Sequence, residues 1–192
     1  MTTWVDELEP GAPDIVAAWR GIEVARTAEV RREVRRRSGV GTAERIVPQL
    51  ATLALALAAV VEGLSEADLA RDGGEEDWNI AQAIGHDCEA RAGLCLAASR
   101  ATVAKSPSNA PEIEIVLGIP GPADADRAML LRRIAQSQRI VERSARIVAG
   151  HEMEPCPLVH PLVGRLRCGE WLVFAGVHDL MHLEQLHTMM RG

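Results

Sequence analysis

The chain has 192 residues, enough for one sizeable hydrophobic core. Hydrophobic residues make up 47% of it and aromatic residues only 3%, so the core must be aliphatic, which favours packed helices over a sheet sandwich rich in aromatic and β-branched residues. The formal net charge of −6 argues against general nucleic-acid binding, because an acidic chain repels phosphates unless its basic residues are segregated.

The N-terminal region is predicted to contain one helix. Residues 1–12 include a proline and a glycine and are expected to be an irregular lead. Asp14 can cap a helix that runs to about Arg37. The last part of this helix, residues 31–37, is strongly basic, which we interpret as a solvated last turn that suits the helix dipole. A surface that binds a partner or an anion is the alternative.

Four long helices are predicted after residue 42, because apolar residues recur there at helical spacing between glycine- and proline-rich stretches. Their expected ranges are about 42–63, 78–105, 124–149 and 169–190. Thr42 is a possible cap for the first of them, although its regular part can also begin only at Pro48. A short turn or a single helical turn is expected at Ser65 to Asp68.

The connections around residues 105–123 and 150–168 are longer than in simple bundles, and residues 151–167 are expected to be loop. The pattern predicts an all-α fold, a four-helix bundle with long crossover loops, plus an N-terminal helix. We divide the chain into an N-terminal helical extension, residues 1–41, and a bundle, residues 42–192.

The cysteines and the longest apolar stretch indicate where the protein resides. The four cysteines are Cys88, Cys95, Cys156 and Cys168. They form no Cys-x-x-Cys pair, and the acidic N-terminus does not resemble a secretory signal, so we expect reduced thiols in a cytoplasmic protein. Because residues 46–61 fall short of the roughly 18 apolar residues of a membrane span, we expect a core helix and no membrane partner.

Two histidines in the last predicted helix, His178 and His182, carry the strongest functional signal. Residues four apart lie on one face of a helix, about 6 Å apart along its axis. Two neutral imidazoles so placed can bind one divalent metal ion. If the bundle brings His86 opposite the pair, three histidines form a site with open coordination positions. Ordinary buried histidines are the alternative.

Three segments resemble the DinB-like (DinB/YfiT) superfamily of metal-binding four-helix bundles. Residues 78–86 resemble the family's tryptophan followed eight residues later by its first ligand histidine. Residues 160–164, ahead of 170–172, are similar to the loop before the last helix. Residues 178–185 resemble the His-x-x-x-His-x-x-Gln ending of the family. The resemblance covers roughly residues 42–190.

The resemblance implies that His86, His178 and His182 ligate one divalent metal ion, with water completing the shell. Zinc or nickel is expected first, with iron or manganese as alternatives. The resemblance also implies a homodimer and a low-molecular-weight thiol as partner, since some relatives are S-transferases that use bacillithiol or isomerases that use mycothiol. We therefore expect a metal-dependent thiol S-transferase or a related transferase or hydrolase. A non-catalytic metal-binding stress-response protein, or a vestigial site, is the alternative.

Polar residues near the predicted ligands are candidates for catalysis or for positioning a ligand. The catalytic candidates are Glu89, His160 and Gln185. Asp87 and Glu89 are either acceptors that hold a ligand histidine in its tautomer or surface acids. Gln185 can hold a ligand histidine, a bound water or a backbone group, or make a core or dimer contact. His160 can approach the metal ion or only shape its turn.

The remaining histidines, acids and thiols are given structural interpretations. Asp179 and His187 are expected at the surface. The cysteines are interpreted as small core residues, although Cys156 and Cys168, in or beside a predicted loop, can be exposed. Nothing next to either thiol predicts a strongly lowered pKa.

Overall fold

The helices follow the sequence pattern over most of the chain. A computed structural model describes residues 3–22, 27–72, 77–105, 107, 109–115 and 118–191. The elements within these residues are, in chain order, α1 (Trp4–Leu8), α2 (Pro13–Arg20), α3 (Thr27–Arg36), α4 (Thr42–Gly63), α5 (Glu66–Leu69), α6 (Ile80–Val103), β1 (Ile113–Glu114), α7 (Arg127–Val148), β2 (Pro155–His160), β3 (Gly164–Arg167) and α8 (Cys168–Arg191).

The four long helices α4, α6, α7 and α8 form the predicted bundle. Helices α4 and α6 lie diagonally opposite, and each packs against both α7 and α8. The core between them is aliphatic, as the composition requires, with Trp171 and Phe174 of α8 as its large aromatic side chains. The all-α fold class is therefore confirmed, and α8 places its two histidines against α6.

Local capping explains where the site-bearing helices begin. The Asn79 side chain accepts a hydrogen bond from the Gln82 backbone N–H, and the Gln82 side chain accepts one from Asn79, which together form a capping box. Helix α7 begins with a simple cap, in which the Asp126 side chain accepts a hydrogen bond from the Met129 N–H. Helix α4 begins at Thr42, and Pro48 lies inside it, so the later start considered for this helix is wrong.

The N-terminal prediction is wrong in two respects. The single helix expected from Asp14 to Arg37 is two helices, because α2 ends at Arg20 with Gly21 as its C-cap and α3 begins at Thr27; residues 23–26 lie outside the described part of the chain. The irregular lead contains α1, whose start is fixed by a capping box between Thr3 and Asp6. A helix of only five residues leaves almost no periodic signal in the sequence.

The N-terminal helices share the hydrophobic core of the bundle. Ile15 of α2 and Val34 of α3 are fully buried in the same cluster as the bundle's apolar residues. The Ile15 side chain fills the space beside Gly176 of α8, where a Cβ atom would collide with it. Helix α2 therefore covers α8 just before its histidines. The description of residues 1–41 as a separate extension remains a prediction.

The connection before α8 is a small sheet, so the loop expected at residues 151–167 is wrong there. Strands β2 and β3 form an antiparallel hairpin, and β1 pairs in parallel with β2. Alternate residues of β2, Cys156, Leu158 and His160, point into the core. Two prolines in this strand hid it from the sequence pattern, because proline is rare inside sheets.

One helix in the described residues, α4, is long and apolar enough to cross a membrane by length and composition alone. Its residues Ile46, Leu50, Leu53 and Leu57 are buried against the other helices. A core helix of a bundle passes the same test, so this finding is weak support for a membrane span.

Candidate metal centre

Three histidines from two helices meet at the α6–α8 interface. His178 and His182 lie one turn apart on α8, with ring centroids separated by 4.5 Å. The His86 ring of α6 lies 5.5 Å from the first and 4.9 Å from the second. One ring nitrogen from each lies within 4.8 Å of the others, and all three residues are half-buried. The structure thus brings together the three residues that the sequence singled out.

Each of the three rings has an oxygen acceptor beside its Nδ1 atom. The pairs are His86 with the Ile119 carbonyl at 2.7 Å, His178 with Asp87 Oδ1 at 3.4 Å, and His182 with Gln185 Oε1 at 2.9 Å. An Nδ1–H that donates to oxygen leaves the lone pair on Nε2. The three rings therefore share the tautomer in which Nε2 carries the lone pair that a metal ion would need, and the acceptors fix the orientation of the rings.

These donors fit a divalent transition metal ion. Nitrogen ligands at the usual zinc distance stand about 3.3 Å apart in a tetrahedral shell. The observed spacing of up to 4.8 Å needs only small side-chain rotations to reach a common ion. The buried carboxylate of Asp87 adds negative charge directly behind one ring, which favours a cation there. Three imidazoles and no thiolate suit zinc, nickel or iron rather than calcium or magnesium.

The loop before α7 reaches the site through a contact between two glycines. A Cβ atom added to Gly121 would lie only 2.6 Å from the Cα atom of Gly85, so both positions need glycine. The Gly121 N–H also donates to the Gln82 carbonyl of α6 at 3.0 Å. This close approach brings the Ile119 carbonyl to His86. Sequence reasoning missed all of these residues, since the only signal was a glycine- and proline-rich stretch.

Trp78 supports the register of His86. Its ring lies 4.9 Å from the His86 ring, and its side chain is buried at the start of α6. The tryptophan and the histidine eight residues later therefore form one packed pair, which explains why their spacing was informative.

A fully buried carboxylate on α6 is part of the site. Asp87 is 0% exposed, so its interpretation as a surface acid is wrong. Burial alone would raise the pKa of Asp87, but the hydrogen bond from His178 and the nearby imidazoles and guanidinium lower it below its usual value. An ionised Asp87 is the stronger acceptor for the His178 N–H.

Asp179 also differs from the prediction. It was expected at the surface and is 3% exposed, because α8 is covered on nearly every side by α2, α4, α6 and the hairpin. Its Oδ2 atom lies 3.1 Å from Nε of Arg91, although the two groups are not aligned as a hydrogen bond. Burial raises the pKa of Asp179 well above its usual value, the Asp87 carboxylate raises it further, and Arg91 opposes both.

The three catalytic candidates occupy different surroundings. Glu89 has a side chain that is 54% exposed and pairs with Arg133 at 2.8 Å. Gln185 accepts from His182, which is one of the roles considered for it. His160 is buried at the end of β2, where its Nδ1 accepts from the Leu162 N–H at 3.1 Å.

The tautomer of His160 is the reverse of that of the three clustered histidines. Because Nδ1 of His160 accepts a hydrogen bond, the proton of the neutral ring lies on Nε2. Burial, followed by the charge of His178, lowers the pKa of His160 to about 4, so the ring is neutral near pH 7. Its ring packs edge-on against Phe174 at 5.0 Å and shapes the hairpin turn. A catalytic role for it remains a prediction.

The structure also shows the surroundings of the cysteines, of His187 and of the basic end of α3. All four cysteines are free and buried, so the exposure considered for Cys156 and Cys168 is wrong. The ring of His187 is half-buried and lies 4.9 Å from Trp4 of α1. Among the described contacts, the basic end of α3 binds the β2–β3 hairpin, because Arg31 and Arg35 donate hydrogen bonds to the Arg165 carbonyl.

Comparison with known families identifies the fold. The model of the DinB superfamily matches residues 49–186, which span the bundle from α4 to α8 and include the three clustered histidines. No curated protein and no solved structure matches the chain. The matched segment covers more than half of the 192 residues and confirms the resemblance. The chain belongs to the DinB superfamily.

Proposed function

We propose that this protein binds one divalent metal ion through His86, His178 and His182 and uses it to activate a low-molecular-weight thiol for transfer to an electrophile. Zinc or nickel suits the three imidazoles best, with iron or manganese as alternatives. The observation that carries the proposal is the convergence of three rings, each held by its own acceptor in the tautomer that a metal ion requires.

The exposure of the site supports a reactive rather than a sealed centre. The three histidines each retain some solvent exposure, with 12% of the His178 side chain accessible, so the cluster borders solvent. When bound, a divalent ion with three neutral ligands keeps its full charge and lowers the pKa of a thiol or water that reaches it.

Neighbouring residues orient the three histidine rings and place aromatic side chains beside them. Asp87, Gln185 and the Ile119 carbonyl hold the three rings. The Trp78 ring lies tilted beside the His86 ring at 4.9 Å, and the Phe174 ring lies edge-on to the His178 ring at 6.3 Å. Neutral His160 carries its proton on Nε2 and is suited to donate a hydrogen bond to a substrate rather than to ligate the ion.

Steady-state assays test the enzymatic part of the proposal. Zinc- and nickel-loaded protein is mixed with bacillithiol, mycothiol or glutathione and a panel of electrophiles, with His178→Ala as the matched variant. We expect thiol-dependent turnover by the loaded wild type that His178→Ala lacks. Equal rates for the two proteins, or no turnover with any thiol, would remove the transferase assignment.

A non-catalytic metal-binding role in stress response is the second candidate. It is favoured by the engagement of all three catalytic candidates: Glu89 pairs with Arg133, Gln185 with His182, and His160 with the Leu162 backbone. This role predicts a rise in melting temperature on adding metal without any turnover.

We further propose that the protein is a cytoplasmic homodimer with no nucleic-acid or membrane partner. The net charge of −6 and the free thiols support the location and the absence of nucleic acid. Leu55 of α4 is an exposed apolar side chain that a second copy could cover. Light scattering of the purified protein distinguishes a dimer from a monomer.

A further inference from the structure

The solvent face of α7 carries a row of four exposed arginines. We call them the arginine stripe, and they are Arg132, Arg139, Arg143 and Arg146. Their intervals of seven, four and three residues place them within about 80° of one another around the helix axis. They lie opposite the buried Val141. The stripe therefore runs along the helix for about 21 Å and faces away from the core.

The arginine stripe is not neutralised within the described part of the chain. Among the described residues, none of its four members forms an ion pair, whereas Arg133 of the same helix pairs with Glu89 at 2.8 Å. Like charges three or four positions apart repel one another and destabilise a helix. In a chain of net charge −6, which has acids in excess, this conflict indicates a surface that meets an anionic partner.

An apolar groove between α6 and α7 adjoins the arginine stripe. The groove has a volume of about 460 Å³, and its larger apolar side chains are those of Leu96, Val103, Ile140 and Ile147. Val103 is 71% exposed, so the groove opens to solvent. Arg143 of the stripe and Arg100, an exposed residue of α6, also line it. The two helices thus combine an apolar surface with a guanidinium group from each side.

We propose that the α6–α7 groove and the arginine stripe form a docking surface for an amphipathic helix of an acidic partner protein. Apolar side chains three or four positions apart on that helix enter the groove, and its carboxylates pair with the arginines. Guanidinium groups suit this role because each can donate two parallel hydrogen bonds to one carboxylate. The surface is separate from the candidate metal centre, since Leu96 lies ten residues, or about 15 Å, beyond His86 on α6.

The dimensions of the surface and the charge of the protein favour a helix as the occupant. A small amphiphilic anion would fill the groove but would not reach Arg132, Arg139 or Arg146, which do not line it. A helix of about 15 residues is as long as the arginine stripe. DNA and anionic membranes are extended polyanions, which the net charge of −6 repels at long range.

Fluorescence anisotropy with a designed peptide tests the docking surface. The peptide is a fluorescein-labelled helix of about five turns with leucines on one face and glutamates on the others. We expect wild-type protein to bind it, with an affinity that falls as the salt concentration rises. The double variant Arg139→Glu/Arg143→Glu should bind it at least about 10-fold more weakly, because two attractions become repulsions. A peptide of the same composition with its leucines dispersed should bind wild type at least about 10-fold more weakly.

Matched controls separate the arginine stripe from net charge, and the groove from apolar surface in general. The double variant Arg36→Glu/Arg191→Glu makes the same change of net charge at two exposed arginines elsewhere and should bind the peptide within about two-fold of wild type. Val103→Glu should weaken binding at least about five-fold, whereas Leu55→Glu, at a similarly exposed position of α4, should not. Because all of these positions are exposed, the variants should keep the fold.

Several results would overturn this inference. They are the absence of peptide binding by wild type, equal binding of the two leucine arrangements, and equal losses in the stripe variant and its charge control. Self-association of wild type that Arg139→Glu/Arg143→Glu abolishes would instead assign the surface to a second copy. Binding of duplex DNA or of phosphatidylserine vesicles that needs the same two arginines would assign it to a polyanion. Zinc affinity should be unchanged in Arg139→Glu/Arg143→Glu, so failure of the metal site and failure of this inference are distinguishable.

Discussion

The Asp87 carboxylate of α6 lies 3.4 Å from Nδ1 of His178 on α8, and the carboxylate is fully buried. The contact crosses the interface on which the candidate metal centre is built. It shows that the site consists of more than three histidines: the bundle also supplies the acceptors that hold each ring.

The side-chain oxygen of Gln185 should increase the affinity for zinc. Gln185→Leu removes the acceptor of the His182 N–H and should weaken zinc binding about 10-fold or more. Gln185→Glu keeps an oxygen at this position and should retain affinity. Glu184→Gln, an exposed neighbour on the same helix, is the control. Equal zinc affinity of the leucine variant and the control would show that Gln185 makes only a packing contact.

The glycine contact between α6 and the loop before α7 should be intolerant of a methyl group. Gly121→Ala places a Cβ atom against the Gly85 backbone and should cost about 1–3 kcal/mol of unfolding free energy. It should also weaken zinc binding, because the Ile119 carbonyl moves away from His86. Urea unfolding and zinc titration measure the two effects.

Gly93→Ala is the matched control for this prediction. Gly93 lies in α6, the helix that contains Gly85. It is exposed and has open space where a Cβ atom would be. Its replacement should stabilise α6 by up to about 1 kcal/mol. Similar effects of the two substitutions would mean that the loop is not held by the glycine contact.

Ile15 should contribute to the stability of the whole protein. It is fully buried between α2 and α8, so Ile15→Ala should lower the unfolding free energy by about 2–5 kcal/mol. The shift should appear in a single transition, since the N-terminal helices share the bundle core. Val40→Ala, at an exposed position, should change little. A separate early transition in Ile15→Ala would indicate that residues 1–41 fold independently.

Buried His160 should make the apo protein less stable in mild acid. Its pKa is about 4 in the folded protein and 6.5 when unfolded, so between these values the unfolded chain binds more protons. The stabilisation is complete above pH 6.5 and is lost as the pH falls toward 4, up to about 3 kcal/mol.

Urea unfolding at several pH values compares wild type with His160→Asn, whose side-chain oxygen can still accept the Leu162 N–H. The variant should lose less stability than wild type between pH 6.5 and 4. Parallel losses in the two proteins would show that His160 does not have a lowered pKa.

The sequence predicted best what depends on local signals. The start of α6 follows from a capping box at Asn79, and the register of His86 from its packing on Trp78. The pairing of His178 with His182 follows from helical spacing alone. These features need no knowledge of distant residues. The grouping of His86 with the two histidines of α8 was expected from the family resemblance, and the structure brings the three rings together.

The errors lie where distant contacts decide the structure. Asp179 is buried under elements that pack on α8, and its countercharge, Arg91, lies almost ninety positions earlier in the chain. Gly121 approaches Gly85 from a loop that shows no pattern of its own. Prolines concealed β2, and its pairing with β3 and β1 outweighs the poor strand propensity of its residues. No window of local sequence contains these relationships.

The central claim is that rings from α6 and α8 share one ion, and zinc titration of His86→Ala tests it most directly. Wild type should bind one zinc ion per chain, and His86→Ala should bind at least about 100-fold more weakly, because it loses the only ligand from α6. His187→Ala, also a half-buried histidine of α8, should bind like wild type. Equal zinc affinity of His86→Ala and wild type would contradict the shared site.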